Sequence, residues 1–299
     1  MTETTKKPTA FLIDSSVFVF RSYYSMSTDL VDVHGNTNHA VYGFARFLIR
    51  FIKQTQPQFI AAAFDEALTT SFRNEIYPLY KANRDPAPAD LKLQFKQCQK
   101  LAKLLGISTF SDDSYEADDL IGTLHQTYAN RGHNVCVVSA DKDLAQLVRP
   151  SDWWWDYGKS KPLGFKALTE KFGVRPDQVC DFLALAGDQV DNIPGVKGVG
   201  VKTAQILLNH FDDLDSVLSR YKEIEFLSFR GAKSCQKKIR DHQADARLSK
   251  LLSKIVLDAP IDNDDIIKSR VSPEALIDFI EEMNFGPMIR RELLEAAAI

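Results

Sequence analysis

The chain has 299 residues, 44% hydrophobic and 26% charged, a soluble globular composition long enough for one large or two modest domains with a substantial core. Its formal net charge of −3 argues against a protein that coats nucleic acid by bulk positive charge. Met1–Thr9 is too polar for a signal peptide, and no run approaches the roughly 20 apolar residues of a membrane span. Cys98, Cys136, Cys180 and Cys235 are widely spaced with no CxxC, which indicates neither a zinc site nor a disulfide framework and points to a reducing compartment, the cytoplasm.

Taken in chain order, Ala10–Ile13, Phe59–Phe64 and Asn134–Ser139 are short apolar runs rich in Ile, Val and Phe, each read as a strand buried on both faces. Helical patterns lie between them at Ala40–Gln54, Asp90–Leu105 and Tyr115–Ala129, the last stopping at Asn130-Arg131-Gly132. The alternation predicts an α/β layer with a mainly parallel central sheet. Asn83–Pro88 cannot continue a helix and reads as a loop. Trp153–Tyr157 reads as an edge strand or hairpin, its tryptophans more suited to packing than to stacking a base. After about Ala167 the strand signal ends, and short helices punctuated by Pro176, Pro194, Gly195, Gly198, Gly200 and Arg230-Gly231 predict a helical domain. The expected division is 1–170 and 171–299.

The acids carry the chemistry. Each of the three strands ends in aspartate: Asp14, Asp65 and Asp141. In an open α/β sheet ligands bind at the carboxyl ends of strands, and three carboxylates converging there repel one another unless a cation lies between them. Glu116, Asp118 and Asp119 fall in the first turn of a helix, Asp143 lies just beyond Asp141, and Asp188 and Asp191 flank a loop opening the helical region. Singly, each has an ordinary explanation as a helix-dipole partner or turn residue. Together they predict a metal site, and an oxygen-only donor set selects Mg²⁺ or Mn²⁺ rather than zinc. Two such ions, roughly 4 Å apart, suit phosphodiester hydrolysis. Ser15-Ser16-Val17 after the first strand gives no P-loop or dinucleotide fingerprint.

Positive charge is local. Residues 197–254 hold 12 Lys+Arg against 7 Asp+Glu, and residues 81–103 hold 6 against 2, as in a protein gripping a polyanion in two places, although charge alone equally describes solvated helix faces. Within Ile193–Ala204, glycines 195, 198 and 200 allow tight turns before a helix beginning near Lys202. Its free N–H groups, with Lys197, Lys202 and Thr203, suit a phosphate backbone. Arg73, Tyr77, Tyr80, Lys81 and Arg84 interleave aromatic and basic side chains as a single-strand contact requires.

Together, FLIDSSVFVFRSYY, AAFDEALTTSFRNEIYPLYKANR, YEADDLIGTL, SADKDLAQLV, DFLALAGDQVDNIPGVKGVGVKTA and LSFRGAK resemble the 5′ nuclease (flap endonuclease-like) family, especially the 5′–3′ exonuclease domain of bacterial DNA polymerase I. They span about residues 10–260 in family order. The resemblance implies a PIN-like nuclease domain followed by a helix–three-turn–helix DNA-binding domain. It implies that Asp14, Asp65, Glu116, Asp118 and Asp119 surround one metal ion and that Asp141, Asp143, Asp188 and Asp191 form the second-metal group. Arg21, Tyr80, Lys81 and Arg84 match residues that engage the scissile phosphate and 5′ strand. Residues 81–103 correspond to a helical arch, and the turn at 195–200 to a duplex-holding element that often binds K⁺.

The family's usual Thr-Gly-Asp is Ser139-Ala140-Asp141 here, which leaves the acid in place. The chain ends at Ile299, so a free-standing, monomeric nuclease is expected, with an excised domain as the alternative. The expected activity is two-metal 5′–3′ exonuclease and 5′ flap endonuclease action on DNA with 5′ ends, nicks or flaps. Roles in replication and repair follow from the family alone. The competing readings are a structure-specific DNA-binding protein without catalysis and a nuclease acting mainly on RNA primers.

Overall fold

A strand with apolar side chains on both faces needs cover on both, and this chain supplies it from distant segments. The computed structural model describes residues 7–66 and 70–299; Met1–Lys6 and the Ala67–Thr69 part of the FDEALTTSFR motif lie outside. β1 (Thr9–Asp14), α1 (Ser15–Ser25), α2 (His39–Thr55) and β2 (Phe59–Ala63) come first. They are followed by α3 (Phe72–Ile76), α4 (Ala89–Leu104), β3 (Ser108–Phe110), α5 (Ala117–Asn130) and β4 (Asn134–Val138). After β5 (Trp153–Trp155) and β6 (Leu163–Gly164) come α6 (Phe165–Phe172), α7 (Val179–Ala186), α8 (Val201–Phe211) and α9 (Leu214–Ser219). The chain ends with α10 (Ala232–Asp241), α11 (Gln243–Ser253), α12 (Pro273–Glu282) and α13 (Pro287–Ala298).

The sheet order is β3-β2-β1-β4-β5-β6, parallel except for the β5–β6 hairpin. Leu12 stands between Ala61 of β2 and Val137 of β4, all three on the face covered by α5 and α6–α11. One residue on, Ile13, Ala62 and Val138 point to the other face, under α1, α2, α4, α12 and α13. The period-2 alternation of buried strands thus divides the chain into two layers.

The last two helices of the expected helical region pack back on the first layer. Leu276, Phe279, Leu293 and Ala296 join the core beneath α2 and α4, and Ile60 N–H donates to the Ile266 carbonyl at 2.8 Å. The apolar outer surface of α2 and α4 needs this cover, and α12 and α13 return to provide it. Over the expected arch, 81–103, the chain forms a turn and then α4. Leu91, Cys98, Leu101 and Ala102 of α4 are buried against the sheet layer, with Lys92, Lys96, Lys100 and Lys103 on its exposed side. The side chains that reach the acids lie before α4, from Arg73 to Arg84.

Candidate active site

β2 and β4 flank β1, so the strand order reverses at β1 and opens a crevice at the carboxyl edge. Asp14 ends β1 and is the N-cap of α1; Asp65 follows β2 and Asp141 follows β4. Glu116 caps α5, and Asp118 occupies its first turn. Asp143 opens a 3₁₀ turn, Asp143–Leu147. Asp188 and Asp191 sit on a loop after α7, closed by reciprocal backbone hydrogen bonds between Asp188 and Ile193 (2.9 and 2.7 Å).

Small hydroxyls register these acids. Ser139 Oγ donates to Asp14 Oδ2 (2.7 Å) and accepts from the Asp141 N–H (2.8 Å), joining two strand-end aspartates. Ser16 Oγ accepts from the Asp65 N–H (3.0 Å), and Ala117 N–H donates to Asp65 Oδ1 (2.8 Å). The role of Ser139 and Ser16 was not foreseen; a serine just after β4 and another in the first turn of α1 were its only sequence signal.

The carboxylates act on one another. Burial, reinforced by Asp65 and Asp141, pushes Asp14 up to about 7. Burial, then Asp141, Asp14 and Asp65, raises Asp118 well above the carboxylate range. Burial and Asp141, joined by Asp191 and Asp188, do the same to Asp143. Asp65 and Asp141 are also raised, chiefly by burial. Asp141 therefore bears on both expected groups of acids, which form one field of excess negative charge.

Cations enter from one side. Lys81 Nζ lies 2.7 Å from Glu116 Oε2 and 3.8 Å from Asp191 Oδ2, bridging the groups. Tyr80 OH donates to Glu116 (3.2 Å), and Arg84 pairs with Asp191. Burial would raise Glu116, but Lys81 and Arg73 outweigh it and hold it below its ordinary value. Lys142, unforeseen, pairs with Asp188 at 2.8 Å.

Three expectations change. Arg73 is 2% exposed and clasps Asp119 through two bonds of 2.7 and 2.8 Å while donating to the Leu252 and Lys254 carbonyls. No DNA phosphate reaches it. Asp119 also accepts the Glu116 and Val256 N–H groups, so both its oxygens are spent inside the protein and none faces a metal. This pair is a strut between α5 and the segment after α11. Arg21 donates to Asp156 Oδ1 (2.7 Å) and the Tyr157 carbonyl (3.0 Å), beyond β5, and makes no ion pair with the acids.

The remaining donors fit a hard divalent cation. They are carboxylate oxygens in mutual repulsion, and Asp143 Oδ1 is buried with no hydrogen-bond partner. Among the described residues no three acids already form a closed ligand cage; Lys81, Lys142 and Arg84 hold Glu116, Asp188 and Asp191. Asp14, Asp65, Glu116 and Asp118 on one side and Asp141, Asp143, Asp188 and Asp191 on the other are the candidates to hold ions.

The second element lies where α7 meets α8. Gly195 has φ +61, and a Cβ there would stand 2.3 Å from Gly187 N, so only glycine allows this approach. Its N–H donates to Ser249 Oγ at 2.9 Å. Lys197, Gly198, Gly200 and Lys202 are exposed and Thr203 half-buried. Gly200 caps α8 without a side-chain bond, leaving first-turn N–H groups for a ligand. Lys238 of α10 donates to the Gly198 carbonyl at 2.9 Å, which brings the basic α10 beside the turn.

Comparison with known proteins places this arrangement. Residues 9–173 match the model of the 5′-3′ exonuclease N-terminal resolvase-like domain, and residues 174–274 that of the 5′-3′ exonuclease C-terminal SAM fold. A 5′-3′ exonuclease of Buchnera aphidicola is 34% identical over 258 residues, covering 86% of this chain and 89% of its own. One from Aquifex aeolicus is 36% identical over 217 residues, 73% of this chain and 74% of its own. The DNA polymerase I of Rhizobium leguminosarum is 34% identical over 94% of this chain, which spans 28% of that polymerase. Among solved structures, T5 5′-exonuclease with bound zinc has a TM-score of 0.69 at 18% identity, covering 97% of this chain and 99% of its own. The catalytic core of Rad2 in complex with DNA substrate gives 0.62 at 14%, covering 98% and 94%. Both have the same fold.

Proposed function

Since the chain belongs to the 5′-3′ exonuclease family, we propose that it is a divalent-metal-dependent nuclease hydrolysing DNA phosphodiester bonds near 5′ ends. It acts both as a 5′–3′ exonuclease and as a 5′ flap endonuclease. The observation that carries this reading is the crowd of raised carboxylates at the carboxyl edge of the sheet with Lys81 set between Glu116 and Asp191. A negative field that repels itself and borders a cationic side chain is suited to metal and phosphate rather than to stability.

When bound, a pair of Mg²⁺ or Mn²⁺ ions supplies charge neutralisation and an activated water for in-line displacement. Asp14, Asp65, Glu116 and Asp118 would hold one ion and Asp141, Asp143, Asp188 and Asp191 the other. Lys81 and Arg84 offer N–H donors to the phosphate oxygens on which charge develops. The ring of Tyr80, under the Lys81 ammonium (5.0 Å), steadies that lysine. Arg21 acts on the 5′ strand only by exchanging Asp156 for phosphate. The free N–H groups of α8, with Lys197, Lys202 and Thr203, hold the duplex backbone, with K⁺ at the turn. The 5′ polarity rests on family membership. The four free cysteines suit the reducing cytoplasm, and a monomer acting in DNA replication and repair is the reading that family membership favours.

The test is digestion of a 5′-labelled flap with product lengths resolved, in Mg²⁺, in Mn²⁺ and in chelator. Short 5′ products in metal alone are expected; duplex binding with no product in any divalent metal would leave only a DNA-binding protein. A matched RNA flap cleaved faster than the DNA flap would move the substrate to RNA primers.

A further inference from the structure

The turn segment bearing Lys81 and the loop bearing Asp188 and Asp191 come from different halves of the chain, yet they are stitched together. Lys81 N–H donates to the Asp191 carbonyl at 3.0 Å. Asn192 Nδ2 donates to the Leu79 carbonyl at 2.6 Å, and Asn83 Nδ2 to the Gln189 carbonyl at 2.8 Å. The bonds run both ways, so neither strip can slide along the other without breaking them.

At the centre of this seam stand two non-glycine residues in the left-handed region, Lys81 at φ +54 and Asn192 at φ +56. Asparagine adopts that conformation readily, whereas a long side chain such as lysine does so only when its surroundings impose it. The imposing contacts lie on both sides of Lys81: the Leu79 carbonyl is held by Asn192, the Tyr80 carbonyl by Asn74 Nδ2 at 2.9 Å, and the Lys81 N–H by Asp191. The result is a backbone aimed so that the Lys81 amine meets Glu116 and Asp191 at once.

We propose that Asn192 is a positioning residue for the reaction, its side-chain amide holding the turn that aims Lys81 between the two groups of acids. This deepens the nuclease reading and rests on it for the reaction. The side chain of Asn192 touches no acid and acts through Lys81. The placement of Lys81 itself is testable without cleavage.

The experiment compares wild type with Asn192→Ala and Asn192→Gly. Glycine keeps the left-handed backbone without strain but lacks the amide. Two readouts are taken: labelling of the Lys81 amine by an acylating reagent, read by mass spectrometry on metal-free protein, and cleavage of a 5′ flap in Mg²⁺. Both variants are expected to label Lys81 about 10-fold faster and to lose 10- to 100-fold in kcat, the order of effect of a misaimed catalytic group, with KM for the flap little changed. Glycine restoring slow labelling and full kcat would overturn the proposal, leaving a merely conformational role for position 192. Unchanged labelling in both variants would overturn it equally. Faster labelling in variants of a wild type that cleaves no flap would sink the nuclease reading while upholding the aim of Lys81.

Discussion

The two edges of the central sheet treat buried aspartates in opposite ways. At the carboxyl edge Asp14 is 4% exposed, and burial plus Asp65 and Asp141 lifts it to about 7; Asp118 and Asp143 are likewise lifted well above the carboxylate range. At the amino edge Asp152 is 1% exposed, yet it lies far below the ordinary range. Burial would raise it, but His125 Nε2 (3.0 Å), Arg149 Nε (2.6 Å) and the Val135 N–H (2.9 Å) more than compensate. A buried charge given all its partners belongs to the architecture. One crowded with its like costs the empty protein stability and is kept for a ligand. Asp118 and Asp119 are adjacent on α5 yet fall on opposite sides of this division, because the Arg73 clasp satisfies only Asp119.

The comparison breaks first if a carboxyl-edge acid proves structural. Asp118→Asn or Asp141→Asn should lower single-turnover cleavage by at least ~10³-fold, about 4 kcal/mol of transition-state stabilisation. Flap affinity, measured in Ca²⁺, should stay close to wild type. In chelator the melting temperature should hold or rise, since a neutral amide replaces a repelled carboxylate. A fall in stability alongside activity would class these acids with Asp152.

Much of this division was legible in the sequence, for identifiable reasons. Strand-end aspartates announce themselves because buried parallel strands are apolar to their last residue, so Asp14, Asp65 and Asp141 stand out, and parallel pairing brings them to one edge. The order of the strands and the short β3 were not legible, since three residues carry no usable period. Arg73 and Asp119 carry no such mark, because a buried ion pair and a substrate-facing one look alike until exposure is known. The Leu91–Leu101 face of α4 likewise has the composition of either a packed helix or an arch. The return of α12 and α13 to the first layer depends on which apolar surface remains uncovered, a property of the assembled fold rather than of any window of residues.

On the structural side of the comparison, Asp152→Ala should cost about 1–3 kcal/mol of unfolding free energy by denaturant titration, because it strands the buried Val135 N–H and His125 ring. Flap cleavage per folded molecule should be unchanged. A smaller effect sharpens the same distinction at the glycine turn. A Cβ at Gly195 collides with Gly187, whereas one at Gly200 meets nothing within 4 Å. Gly200→Ala should therefore cost only the modest preference of an N-cap for glycine over alanine, about 0.5 kcal/mol, and weaken duplex binding several-fold, about 1 kcal/mol, as read by fluorescence anisotropy. Unaltered binding would remove the α8 N-terminus from the DNA interface.

The smallest expected effect is a pH signature of Asp152, and its sign is fixed by linkage. Its carboxyl titrates near 3.8 when unexceptional and well below that in the fold. Above about 4 both the folded and the unfolded chain carry the charge, and the stabilisation from Arg149 is fully present. As pH falls below that value the unfolded chain takes up a proton that the fold refuses, so stability drains away towards the depressed folded value. The margin by which wild type exceeds Asp152→Asn in stability should thus shrink as pH falls below about 4. That change is smaller than the loss in Asp152→Ala, because protonation leaves the carboxyl in place to accept some of its hydrogen bonds. A margin that persists undiminished to pH 3 would mean that packing, not charge, fixes the amino edge, and the contrast between the two edges would then rest on the crowded acids alone.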